Sequence, residues 1–186
     1  MCGIAGFISN EKDNNINLQN LGTSFCKILN HRGPDDKGIW IDENKKTLLA
    51  HTRLSILDLD PRSKQPMIDC YHNLILVFNG EIYNWRLLRS KLQKIGYDFK
   101  TESDTEVLLK GYHFWKEAVL NMLEGMFSFS IYNLKTKVLF CARDRIGKKP
   151  FVYSETPFGF VFASEIPVIV KNNKFFNLNL ELDDAS

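Results

Sequence analysis

The 186 residues, 44% hydrophobic and 25% charged, suit one soluble globular domain with a sizeable core. The 24 basic residues are scattered among 22 acidic ones for a net charge of +2, which speaks against nucleic acid as the main partner. Four dispersed cysteines without C-x-x-C or Cys/His ligand spacing speak against a metal site and a disulfide framework, and with neither a leader before the first strand nor an apolar run of membrane-spanning length, a cytoplasmic protein off the membrane is expected.

Gly3 to Ser9 is a short apolar run that reads as a buried strand and puts Cys2 beside the core. Leu21, Phe25, Ile28 and Leu29 recur at helical spacing, and that helix should stop before the turn at His31-Arg32-Gly33-Pro34-Asp35-Asp36. Strands are expected at 37–41 and 46–52. Leu74 to Phe78 is a β-rich run ending at Asn79-Gly80, and Leu88, Leu92 and Ile95 then mark a helix closed by Gly96. Ser103-Asp104-Thr105-Glu106 has capping-box spacing, so a second helix begins there with a free carboxylate, Asp104, in its first turn. From Met126 the period becomes two, with Phe127, Phe129 and Ile131 on one face, and strands are expected at 137–142, 151–154 and 158–163. The basic pairs Lys45-Lys46 and Lys148-Lys149 read as solvated surface. The aperiodic tail from Lys171 to Ser186 reads as the start of a linker. Strands grouped around helices, with few β-helix-β alternations, predict an α+β fold of layered helices and antiparallel strands.

Cysteine at position two is informative because a small second residue lets methionine aminopeptidase remove Met1, leaving a thiol and a free α-amine on one residue. An α-amine titrates at about 7.7 to 8.0 and a thiol at about 8.5, so near neutral pH the amine can accept the thiol proton without a histidine. Taken alone, Cys2 reads more readily as a small residue at a start site, and its context has to decide.

Its context is an ordered set of segments. They run from Met1-Cys2-Gly3-Ile4-Ala5-Gly6 and His31-Arg32-Gly33-Pro34-Asp35 through His51-Thr52-Arg53-Leu54-Ser55-Ile56 and Gln65-Pro66-Met67 to Asn79-Gly80-Glu81-Ile82-Tyr83-Asn84. Ser103-Asp104-Thr105-Glu106-Val107, Gly125-Met126-Phe127, Ala142-Arg143-Asp144-Arg145 and Ala163-Ser164-Glu165-Ile166 follow in order. Over residues 1–170 the chain resembles the class II glutamine amidotransferases, specifically the glutaminase domain of glutamine-hydrolysing asparagine synthetase. The resemblance implies a four-layer αββα N-terminal nucleophile fold with two antiparallel sheets. It also implies that Cys2 attacks the side-chain amide of L-glutamine through a thioester and passes ammonia to a synthetase domain or subunit.

By the same resemblance Asn79 and Gly80 form the oxyanion site, although Asn-Gly is also the strongest short hairpin signal. Arg53 clamps the substrate α-carboxylate, with a surface arginine on an edge strand as the alternative. Leu54, Ser55, Ile56 and Leu57 supply backbone contacts, while Glu81 and Asp104 accept the substrate ammonium; helix-dipole complementarity is the other role open to Asp104. Arg32 and Asp35 are expected to buttress the site. No Ser-Gly-Gly-x-Asp-Ser loop occurs, so ATP and Mg are expected only in a synthetase domain outside this chain, which is expected to be part of a longer protein or a separate glutaminase subunit. Pro167 and the run Lys148-Lys149-Pro150-Phe151-Val152 depart from the family pattern. A sugar-carboxylate acceptor, a catalytically idle glutamine-binding domain and a homodimer all stay open.

Overall fold

The computed structural model describes residues 1–10, 16–54 and 64–178. The apolar run at the N-terminus is β1 (Gly3–Ser9), followed by α1 (Leu18–Ile28), β2 (Asp36–Ile41), β3 (Thr47–Arg53), β4 (Met67–Asp69) and β5 (Leu74–Ile82). The second half comprises α2 (Trp85–Lys94), α3 (Asp104–Trp115), β6 (Gly125–Asn133), β7 (Leu139–Arg143), β8 (Val152–Thr156), β9 (Gly159–Ala163), α4 (Ile166–Val170) and α5 (Asn173–Phe176). Every strand neighbour is antiparallel. One sheet runs β2-β3-β1-β9-β8 and the other β4-β5-β6-β7.

Period-two alternation explains the layering. In β5, Leu74, Leu76 and Phe78 join Phe127, Phe129 and Ile131 of β6 against α2 and α3, while Ile75 and Val77 face the other sheet. In β1, Ala5 and Phe7 pack with Leu21 and Phe25 of α1, while Ile4 faces inward with Leu49 and Phe162. The result is helix, sheet, sheet, helix, as the resemblance implies. Each fully buried Leu, Ile or Phe in these layers contributes roughly 1.5–3 kcal/mol relative to exposure.

Local signals set the helix ends. Asn17 caps α1 by accepting the Asn20 N–H at 3.0 Å, and Gly96, at φ +94°, follows α2 in a conformation that favours glycine. Ser103 caps α3 by accepting the Glu106 N–H at 3.2 Å, but Glu106 does not complete the box. Its carboxylate takes the N–H groups of Lys100 and Thr101 at 3.0 and 2.7 Å, because the chain before the cap coils back and brings those donors closer.

Two alternatives are excluded and one expected boundary moves. Asn79-Gly80 is no hairpin turn: β5 continues through it to Ile82, with Asn79 opposite Ser128 and Gly80 opposite Phe127. Arg53 ends β3, an interior strand between β2 and β1, not an edge. The packed body also runs past residue 170, since the buried Phe176 ring lies 5.6 Å from Phe7 and 6.4 Å from Phe25. Among the described residues no helix is long and apolar enough to cross a membrane.

Candidate active site

The inward faces of three strands supply the site. Two residues back from Ile4 is Cys2; two and four beyond Leu49 are His51 and Arg53; two and four beyond Val77 are Asn79 and Glu81. Strand periodicity therefore carries a polar set out of the end of the apolar layer between the sheets. Cys2, Arg53, Leu54, Asn79, Gly80, Glu81 and Asp104 all line one cavity of about 610 Å³. Ser55, Ile56 and Leu57 lie outside the described residues.

Cys2 is half-buried, with its thiol 4.0 Å from the Leu54 carbonyl. Its own carbonyl accepts Arg32 Nε at 3.0 Å, and Arg32 Nη1 donates to Glu165 at 2.9 Å. Partial burial alone would raise the Glu165 carboxyl, but hydrogen bonds from Arg32 and His31 outweigh it and hold the group below the usual range. A glycine is required at position 33, where a Cβ would sit 2.5 Å from the Thr52 backbone; the close turn lets the Asp35 N–H bond the Arg53 carbonyl at 3.0 Å. The turn thus ties Cys2 and Arg53 together, the buttress expected of Arg32 and Asp35. The other thiols are placed differently. Burial pushes Cys26 and Cys141 up to about 11, and Cys70 is exposed on the surface.

Asn79 is only 2% exposed, and its Nδ2 has no hydrogen-bond partner among the described residues. An unpaired buried amide donor is destabilising, so its retention on a cavity wall suits a group held ready for a ligand oxygen. Gly80 is needed beside it because a Cβ there would meet the Met126 carbonyl at 2.3 Å. Asp104 is not free as expected: its Oδ2 accepts the Ile82 N–H at 3.0 Å, fixing α3 against the end of β5. Burial raises its carboxyl above the usual range and the Glu81 charge adds to the rise, against hydrogen bonds from Ile82 and Thr105. A buried carboxylate beside a second one is suited to hold a cation.

Two cavity residues were not singled out from sequence. His51 is 1% exposed and, among the described residues, neither ring nitrogen makes a well-formed hydrogen bond; burial lowers its imidazole to about 4, Arg53 adding to the shift, with the Phe78 backbone and Asp36 opposing. Its period-two relation to Leu49 and Arg53 was the available signal. Lys149 is 6% exposed, which corrects the solvated-surface reading of Lys148-Lys149: Lys148 is exposed but Lys149 points inward. The cause is Asp144, whose carboxylate takes the N–H groups of Phe127, Lys148 and Lys149 at 3.2, 2.8 and 3.0 Å and folds the 145–149 turn back toward the cavity.

The sequence profile of the glutamine amidotransferase domain matches residues 1–184. The chain belongs to the glutamine amidotransferase family. This amidotransferase domain is 38% identical over 172 residues to asparagine synthetase [glutamine-hydrolyzing] 3 of Bacillus subtilis, covering 91% of this chain and 27% of that protein. Asparagine synthetase [glutamine-hydrolyzing] 1 of the same organism is 39% identical over 166 residues, covering 89% of the domain and 26% of the relative. The domain therefore spans about a quarter of the length of these curated relatives. Among solved structures, the glutamine phosphoribosylpyrophosphate amidotransferase of B. subtilis superposes with a TM-score of 0.74 at 23% identity, over 91% of this chain and 43% of that one. That likeness shows the shared N-terminal nucleophile fold.

Proposed function

We propose that the domain hydrolyses the side-chain amide of L-glutamine to glutamate and ammonia, with Cys2 as nucleophile once Met1 is removed. The observation that carries this is the convergence of Cys2 with an orphaned buried donor, Asn79 Nδ2, on one cavity wall. The freed α-amine takes the thiol proton as sulfur attacks the amide carbon, and the oxygen becomes an anion facing Asn79 Nδ2 and the Gly80 N–H. Collapse expels nitrogen, which takes the proton from the α-ammonium and leaves as ammonia, and a γ-glutamyl thioester remains. Water attacks that carbon with the same amine as base, releasing glutamate and the thiol.

Recognition of a free amino acid follows from charge. Arg53 offers a planar two-point donor to the α-carboxylate, and Glu81 with Asp104 shares the α-ammonium. Leu54, whose carbonyl faces the Cys2 thiol, contributes a backbone contact. The relatives' names and their greater length support an ATP-dependent synthetase domain as the receiver of ammonia, making asparagine from aspartate, with ATP and Mg bound there. Met1 as encoded lines the cavity beside Cys2, so the competing reading is an idle glutamine-binding form in which that residue is never removed. Intact-mass measurement and a glutamate-release assay separate the two. Loss of Met1 and glutamate release that falls to background in Cys2→Ala are expected; undiminished release in that variant sinks the nucleophile assignment.

A further inference from the structure

A lysine buried as deeply as Lys149 is almost always paired with a carboxylate, because an ammonium withdrawn from water needs a compensating charge. Among the described residues Lys149 forms no ion pair: the contact its Nζ makes is with the Met1 sulfur at 3.6 Å, a weak acceptor. The placement is built in, since Asp144 holds the Lys149 backbone at 3.0 Å and is itself buried. Lys149, Met1 and Cys2 line the same cavity. The other charged side chains around it are Arg53, Arg86, Glu81, Glu102 and Asp104, and none of them bridges to Lys149. Removing Met1 would take away this partner and leave the ammonium in the cavity that the new N-terminus also lines.

We propose that Lys149 is a positioning residue for the mature nucleophile, its ammonium biasing Cys2 toward a neutral α-amine and an anionic sulfur. This rests on the glutaminase reading of the site. A neighbouring cation disfavours a second cation and favours an anion, so one group promotes both changes that the proton transfer requires. While Met1 is retained, its side chain occupies the ammonium and the residue has no amine to act on.

The test uses the full chain with Met1 loss verified by mass. Alkylation of Cys2 by iodoacetamide, followed on the Cys2 peptide, and kcat/KM for glutamine are both measured against pH. Lys149→Met should move the acid limb of both profiles upward by about one pH unit, so that alkylation below the limb is about tenfold slower, and Lys149→Arg should restore most of the loss. A folded Lys149→Met protein with the wild-type alkylation profile overturns the proposal; should that variant not fold, Lys149→Gln carries the same comparison. If the wild type releases no glutamate yet its alkylation depends on Lys149, the glutaminase reading falls and the electrostatic bias on Cys2 stands without a catalytic role. If glutamate is released and neither profile moves, only the inference falls.

Discussion

The layer between the two sheets has two unlike ends built from the same strand faces. At the filled end Ile4, Leu49, Ile75, Val77, Tyr132 and Phe162 close on one another, all buried. At the open end the same alternation continues as Cys2, His51, Arg53, Asn79 and Glu81, around a cavity. The backbone geometry does not change between them; only the side chains do. A sheet face is therefore a fixed grid, stable where its points are apolar and interdigitated and available for chemistry where they are polar and line a cavity. The filled end anchors the three strands whose continuations carry the site.

Substitutions at the two ends should separate stability from activity. Phe162→Ala, at the filled end, should lower unfolding free energy by about 3–5 kcal/mol in urea titration while leaving kcat of the folded fraction near wild type. A comparable stability loss from Asn79→Ala would erase the distinction. That variant, at the open end, should instead reduce kcat about 10²–10³-fold, or about 2.7–4 kcal/mol of barrier, with its midpoint in urea unchanged or raised because an orphaned buried amide is removed.

His51 sits where the two ends meet and sharpens the boundary. Its folded value of about 4 lies below the unfolded value of 6.5, so between those limits the unfolded chain binds the extra proton. Stability should be full above pH 6.5 and fall as pH drops, by about 3 kcal/mol at pH 4. His51→Asn should flatten that slope in urea titrations at successive pH values; an unchanged slope means the imidazole is not buried as a neutral group.

Most of the elements were legible because they depend on neighbours close in sequence. The helix of Leu21, Phe25, Ile28 and Leu29, the Ser103 cap and the alternation from Met126 each report local geometry, and the structure places them within a residue or two. Cys2, Arg53, Asn79 and Asp104 were nameable for a different reason: they stand in ordered motifs. The turn signal of Asn79-Gly80, outweighed in the sequence by the family motif, is overridden in the fold because dipeptide preference is weak against pairing with β6, where Gly80 is forced by the Met126 carbonyl.

What sequence determined by itself was therefore the periodicities, the caps, the α+β class and the family. Tertiary structure alone decided which polar residues are buried. Lys149 and Lys148 are identical in composition and adjacent in the chain, yet Asp144, held against the β6 backbone, turns one inward and leaves the other in water. Burial of a charge depends on partners distant in sequence, and a string of residue types carries no record of that distance.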